Sequence, residues 1–463
     1  MKNICQKLLS AASVLYKILP FFIGLYCYIP FYSETDNVYP VADAVYSSIK
    51  LYSGSTEGEI PLTTPIEIAR FLALAAMLSI LLNALNKITN FTNWFKLKFM
   101  KPVAIYGDSA YADYVWKSLD KYRRIRNGEK LEKGASQYLL MYSDNSRSLK
   151  FYNKYYSYLK DRNVYIMLDN ISRQNIENKK LTVFSAVENC ARQYWRNNPV
   201  EKSERIAFIG FGDVGESILL YGLQMNIIDP AQHFEYHIFG NAEEFAREHT
   251  ELDKMDPDEI VFHGDRKYEY SELTDFDRII VCASSCEGGI IAEISKILTA
   301  VSITQMIYAY APNGDIITNF FGRDRLICFG AAKDTASIDI ILNEKTMQAA
   351  RAQHEYYQKK YGGETWEQLD SFKRYSNVSS SDYLFTIERL KKKGVSLEIL
   401  AELEHIRWCR YHYLNNWKYG EKRDNDKRIH PALVPFSKLS REEILKDIEA
   451  IKSKLESLNK GNC

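Results

Sequence analysis

Apolar positions crowd into the first 95 residues of the chain. Ile18 to Ser33 carries no charge; extended back to Ala11, the run holds 23 residues with Lys17 as its single charge. A helix needs about 20 such residues to cross a ~30 Å hydrocarbon core. A second run spans Ile66 to Leu85, with Glu67 and Arg70 confined to its first turns. Two membrane-spanning helices are therefore predicted. Ala42 to Leu51, between them, has the spacing of a short amphipathic helix and is closed by Ser53-Gly54-Ser55. No small-x-small cleavage site follows the first run, which argues against a secretory leader. Residues 1–33 carry Lys2, Lys7 and Lys17 without an acid, residues 34–62 are net −4, and Lys87, Lys96, Lys98 and Lys101 follow. Basic flanks stay in the cytoplasm. The expectation is an inner (cell) membrane protein with both termini cytoplasmic and the loop outside.

After Lys101 short apolar runs alternate with longer amphipathic ones. Strands are predicted at 102–106, 137–142, 164–168 and 181–185, then at 205–209, 234–239, 259–263, 278–283, 305–310 and 326–329. That alternation predicts two α/β lobes with parallel sheets. From about Asn343 the pattern turns helical, with helices expected at 347–360, 365–374, 380–392, 397–416 and 440–458. The expected organisation is a transmembrane pair (1–95), a first Rossmann-like lobe (101–199), a second (203–335) and a mostly α-helical domain (340–463).

Composition narrows the function. A formal net charge of +1 over 463 residues gives no basic excess for binding nucleic acid in general. The eight cysteines form no CxxC pair, which argues against a zinc ribbon and a disulfide framework. His405, His412 and His430 lack supporting ligands at metal-site spacing, so no metal is expected.

The sharpest motif is Gly210-Phe211-Gly212-Asp213-Val214-Gly215, directly after a strand and opening a helix. In that context the first glycine makes the turn, the second admits a diphosphate and the third lets helix and strand pack closely. The acid that should hold a ribose at the end of the next strand is replaced by Asn241. NAD(H) or another adenine nucleotide is the cofactor this loop suggests; a scaffold that binds nothing is the alternative. The first lobe carries a weaker version, Gly107-Asp108-Ser109-Ala110-Tyr111-Ala112. Ser284, Ser285 and Cys286 follow the fourth strand of the second lobe, where a ligand crevice would lie, but no base accompanies the thiol. No catalytic residue is assigned and the chain is expected not to be an enzyme; an NAD-dependent enzyme is the least favoured reading.

Three resemblances add to this. Helix, short outside helix, helix resembles the layout of two-helix potassium channels, although Tyr52 to Gly58 lacks a TVGYG-type filter. A membrane pair joined to Gly210, Gly212, Gly215, His263-Gly264-Asp265 and Asp277–Val281 resembles the TrkA-N (RCK-type) regulatory domains. This implies a dimerising, nucleotide-responsive cytoplasmic gate in which Asp265 contributes to the nucleotide site. Finally, Glu404-His405-Ile406-Arg407-Trp408, Asn416-Trp417-Lys418-Tyr419-Gly420 and His430–Phe436 resemble the RyR domain, over about 345–450. In helical projection Glu404, Trp408 and His412 share a face, with Tyr411 alongside. Such a face suits a flat ring, with Arg407 or Arg410 for an anion. The candidate ligand residues are His405, Arg407, Trp408, Tyr411, His412, Trp417 and His430; the alternative is that the aromatics are core. Together these point to a ligand-gated membrane effector, a homo-oligomer (dimer or tetramer) sensing a nucleotide-type signal. The RyR association suggests phage defence as its setting. A membrane-anchored scaffold with vestigial nucleotide folds is the alternative.

Overall fold

The computed structural model describes residues 2–35, 37–55, 63–121, 123–126, 128, 130–169, 180–264, 268–269, 271–282, 287–300, 305–312, 314–321, 324–342 and 345–459. The chain divides into two units, residues 1–100 and 101–463.

The first unit consists of helices Lys2–Glu34, Pro40–Lys50 and Thr64–Phe95. Leu15–Glu34 and Thr64–Leu82 are long and apolar enough to cross a membrane. The short middle helix packs by its small residues: Ala44, Ser47 and Ser48 are buried, and Tyr32 and Ser47 share a 2.9 Å hydrogen bond. A side chain at Gly24 would meet Ser48 Oγ at 2.7 Å. Glycine is needed for this approach. Part of the filter comparison, residues 56–58, lies outside the described residues.

In the second unit, runs of β-branched and aromatic residues form two separate parallel sheets. The first contains β1 (Val103–Tyr106), β2 (Arg124–Ile125), β3 (Gln137–Leu140), β4 (Val164–Met167) and β5 (Leu181–Phe184), in the order β2-β1-β3-β4-β5. The two-residue β2 has no periodic signal of its own; it exists through its pairing of Arg124 with Val103. The second contains β6 (Arg205–Ile209), β7 (Glu235–Phe239), β8 (Glu259–Gly264), β9 (Arg278–Val281), β10 (Met306–Tyr310) and β11 (Leu326–Phe329). Its order, β11-β10-β9-β6-β7-β8, is that of a doubly wound dinucleotide fold, with the reversal between β6 and β9. Helices Ala186–Asn197 and Gly212–Met225 join the lobes so closely that a Cβ at Gly222 would sit 2.9 Å from the Trp195 ring.

The C-terminal region is mostly helical: Lys345–Tyr361, Ser371–Lys392, Leu397–Leu414 and Arg441–Asn459. The helices expected at 365–374 and 380–392 are one helix instead, because Asp370 accepts a hydrogen bond from Lys373 N and starts it at Ser371. This region shares one core with the second lobe: Tyr383, Ile387, Leu400 and Leu414 pack in the same cluster as Ile218, Leu223, Phe234 and Ile238.

Polar side chains of the C-terminal region cap the Gly212–Met225 helix. Arg410 donates to Leu223 O at 3.0 Å, Thr386 to Met225 O at 3.3 Å and Tyr383 to Ile227 O at 2.5 Å. The last carbonyls of a helix have no partner within it, and a cation there also meets the negative end of the helix dipole. Arg410 is 2% exposed and pairs at 2.6 Å with the buried Asp258, which also accepts from Phe234 N and Gln232 Nε2. Removing one partner of a buried pair leaves a charge with nowhere to go. Arg410→Met is predicted to lower unfolding stability by about 3–5 kcal/mol in denaturant titration of the full chain, and Asp258→Asn added to it to recover part of the loss.

Candidate functional site: an aromatic cage with a basic rim

Three segments meet at a cavity of about 490 Å³: the start of the Ser371–Lys392 helix, the end of the Leu397–Leu414 helix, and the segment from Trp417 to His430. Five rings form its wall. Trp408 lies 4.0 Å from His412 and 4.9 Å from His430, centroid to centroid; Phe372 stacks on Trp417 at 5.2 Å and 21°. His412 sits among them, 5.1 Å from Phe372 and 5.2 Å from Trp417. Helical spacing places Trp408 and His412 one turn apart. Asn416, in the left-handed conformation (φ 59°), ends that helix and turns Trp417 back toward it. A clamp holds Asn416: its Nδ2 donates to Glu248 O at 2.7 Å, and its Oδ1 accepts from Thr250 N at 2.9 Å.

The rim is basic. Lys373, Arg423 and Arg428 line the cavity, against Asp370 as the one acid. Lys373 is paired with Glu364 at 2.6 Å. Arg423 and Arg428 meet only neutral oxygens, Asn425 Oδ1 and Asn415 O, and neither forms an ion pair among the described residues. Stacking surfaces beside unpaired guanidinium groups suit a flat ring carrying an anion.

Trp408, His412, Trp417 and His430 are thus brought together. The remaining sequence candidates lie elsewhere. Arg407 is 1% exposed; it binds Glu404 at 2.7 and 3.1 Å and Ser379 Oγ at 2.8 Å, so its guanidinium is committed to an internal network rather than to a ligand. Tyr411 donates to Phe372 O at 2.9 Å and lines a different cleft, beside Glu216. His405 lies behind Trp408, in a smaller pocket of about 220 Å³ with Asp447 and Lys454. Phe372, Arg423 and Arg428 are not marked by the sequence because they belong to no shared periodicity; only the two arginines in the polar stretch before His430 offer a signal.

Charges behind the cage are fixed. Burial works against the Glu404 carboxylate, but Arg407 and Lys454 hold its pKa down to about 2. Burial also opposes a charged His405, yet Asp447 at 3.6 Å, Cys409 and the Val434 carbonyl push its pKa up to about 10. In the cage itself, burial drives His412 down to about 3 and lowers His430, so both are neutral at pH 7.

The glycine loop offers a second candidate. Gly210 and Gly212 take positive φ (75° and 54°), and a Cβ at Gly212 would meet nothing within 4 Å, so the backbone is open to a diphosphate. Gly215 packs on Phe211 so closely that a Cβ there would sit 2.8 Å from the ring. The surrounding side chains are acidic. Burial and the nearby Asp213, Glu248 and Glu244 push Glu216 up to about 7. Asn241, at the ribose position, uses its Oδ1 to accept from Glu243 N. Asp265, Ser284, Ser285 and Cys286 lie outside the described residues. The loop in the first lobe is closed: Asp108 accepts from Ser143 N at 2.9 Å and pairs with Arg147, and a Cβ at Gly107 would fall on the Met141 carbonyl.

Residues 385–463 match the family model of the RyR domain. No curated protein matches the chain. Among solved structures it is similar to an NAD-complexed D-isomer specific 2-hydroxyacid dehydrogenase from Lactobacillus delbrueckii ssp. bulgaricus, at 11% identity, 58% of this chain, 100% of that chain and a TM-score of 0.23. It is also similar to D-lactate dehydrogenase with NAD+ from Lactobacillus jensenii, at 10% identity, 63% and 94% coverage and a TM-score of 0.22. Both of these proteins are dehydrogenases by name, and the expectation of a non-enzyme is corrected on that account. Scores this low carry no activity over to this chain.

The pKa shifts predict a stability profile. The Glu404 contribution is complete above its ordinary 4.5 and lost as pH falls toward about 2. The His405 contribution is complete below its ordinary 6.5 and lost as pH rises through about 10. Asp447→Asn should therefore lower the melting temperature at pH 6 and leave it nearly unchanged at pH 10.5, as followed by differential scanning fluorimetry.

Proposed function

We propose that this chain is a membrane-attached sensor whose RyR domain takes a nucleotide-type anion into the aromatic cage. The observation that supports this most is the joining of five rings and two arginines without acidic partners around one cavity. The base would stack on Trp408, Trp417 and Phe372, and the phosphate would meet Arg423 and Arg428. The glycine loop is the weaker candidate, because carboxylates flank the place where phosphates would come. An NAD-type nucleotide there is a separate arm of the test. In this reading the apolar helices of residues 1–100 are the output, a channel-like element assembled from several copies of the chain.

The test uses the full chain in detergent, with calorimetric titration of AMP, GMP, CMP, UMP and NAD+. Arg423→Ala with Arg428→Ala should weaken mononucleotide binding by about tenfold or more, since a hydrogen bond to a charged group contributes about 1.5–3 kcal/mol. Gly212→Val should leave it unchanged and abolish any NAD+ binding. Mononucleotide affinities equal in wild type and the double variant would sink the cage assignment. In proteoliposomes, nucleotide-dependent ion flux supports the channel-like output, and binding without flux leaves an anchored scaffold.

Topology is tested independently. Ser55 is exposed at the end of the short middle helix. With the loop outside, Ser55→Cys should react with an impermeant maleimide on intact cells, above the labelling of the parent chain. Reaction only after permeabilisation would reverse the orientation.

A further inference from the structure

The two histidines in the cage have fixed tautomers. His412 Nδ1 lies 2.8 Å from the carbonyl of Trp408, one turn back on the same helix. A carbonyl only accepts, so Nδ1 carries the proton and Nε2 keeps a lone pair. His430 Nδ1 accepts from Ala432 N at 3.1 Å, so its proton lies on Nε2. The ring centroids are 5.9 Å apart, and both side chains line the cavity.

His412 is 5% exposed, and its Nε2 has no hydrogen-bond partner among the described residues. The ring lines the cavity, and an occupant that shuts water out leaves this acceptor unmade unless it brings a donor of its own. The rings around it, Trp408, Phe372 and Trp417, bring no donor to that nitrogen. An aromatic cage of this kind could otherwise hold a quaternary ammonium. Arg423 and Arg428 on the rim repel one.

We infer that His412 and His430 read the edge of the bound ring, His412 Nε2 accepting from a ligand N–H and His430 Nε2–H donating to an adjacent ligand acceptor. This rests on the cage being the nucleotide site. It narrows the ligand to a heterocycle with a donor beside an acceptor, as on a nucleobase, and excludes plain aromatic anions. Both imidazoles stay neutral through the physiological range because burial depresses them, so the donor and acceptor do not exchange roles.

The experiment compares ligands on the full chain in detergent by calorimetric titration. The probes are AMP, GMP, CMP and UMP; purine riboside 5′-monophosphate and pyrimidin-2-one riboside 5′-monophosphate, which lack the edge donor; and phenyl phosphate. The donor-less analogue of whichever base binds best should bind at least about tenfold more weakly, because a site built around a hydrogen bond rejects a ligand that leaves it unmade. Phenyl phosphate should bind more weakly still. His412→Phe keeps a ring in the packing and removes the lone pair. It should weaken the parent nucleotide by a similar factor and leave the donor-less analogue unchanged; a purely structural role would lower both alike. If the analogue binds as well as its parent, or if His412→Phe weakens both equally, edge reading is overturned while the nucleotide site stands. If none of the four nucleotides binds, the cage reading fails and this inference with it.

Discussion

A buried guanidinium fixes how the C-terminal region meets the second lobe. Arg410 sits at the C-terminal end of the Gly212–Met225 helix, against Leu223 O, Met255 O and the carboxylate of Asp258, and is 2% exposed. A charge removed from water this completely is tolerated only when it is paired; both terminal nitrogens of Arg410 have partners, and Nε has none among the described residues. Its own helix, Leu397–Leu414, must therefore lie against the second lobe in one register. Asp258 is held in turn by Phe234 N and Gln232, at the edge of β7 and β8. Apolar packing alone would allow a helix to slide; the buried pair fixes where it stops.

The cage follows from that register. Trp408 and His412 flank Arg410 on the same helix, so anchoring the arginine also sets the two rings. Asn416 then closes the helix, and its side chain bonds to backbone atoms of Glu248 and Thr250 in the second lobe. Trp417 is the next residue. The aromatic cavity of the C-terminal region is thus positioned by contacts with the Rossmann-type lobe, and the shared core makes that lobe its structural support. Whether or not the glycine loop carries a nucleotide, the lobe has a role that does not depend on one.

Local order was legible in the sequence where a short segment dictates its own state. All strands of the two lobes but β2 were visible as short apolar runs, and the turn Gly210–Gly215 announced itself by its glycines, two of which take positive φ. The cage was half legible. Trp408 and His412 share a helical face, so periodicity finds them, and family resemblance adds Trp417 and His430. Phe372 lies 36 positions before Trp408, beyond the reach of any local pattern. Arg407 and Arg410 look alike in sequence, two cations on one helix, and both read as candidates for an anion. Tertiary context gave each a carboxylate, Glu404 and Asp258, and buried them. The arginines left facing outward are Arg423 and Arg428, in a stretch with no periodicity at all.

The electrostatics of the two candidate sites pull in opposite directions for an anion. Around the glycine loop the backbone offers N–H groups and a helix N-terminus, worth fractions of a kcal/mol to about 2 kcal/mol each for a nearby negative charge. Asp213, Glu244 and Glu248 act against that, and together with burial they push the neighbouring Glu216 up to about 7. At the cage the balance is reversed, with two arginines at the rim and both histidines neutral. A ligand shifts a conformational equilibrium only by its difference in affinity for the two states. Three chain segments contribute walls to the cage, so an occupant touching all of them would favour the arrangement in which they meet. A site assembled from several segments and anchored through Asn416 and Arg410 to the neighbouring lobe has the means to turn occupancy into a change of that lobe's stability. A pocket cut into a single rigid element does not.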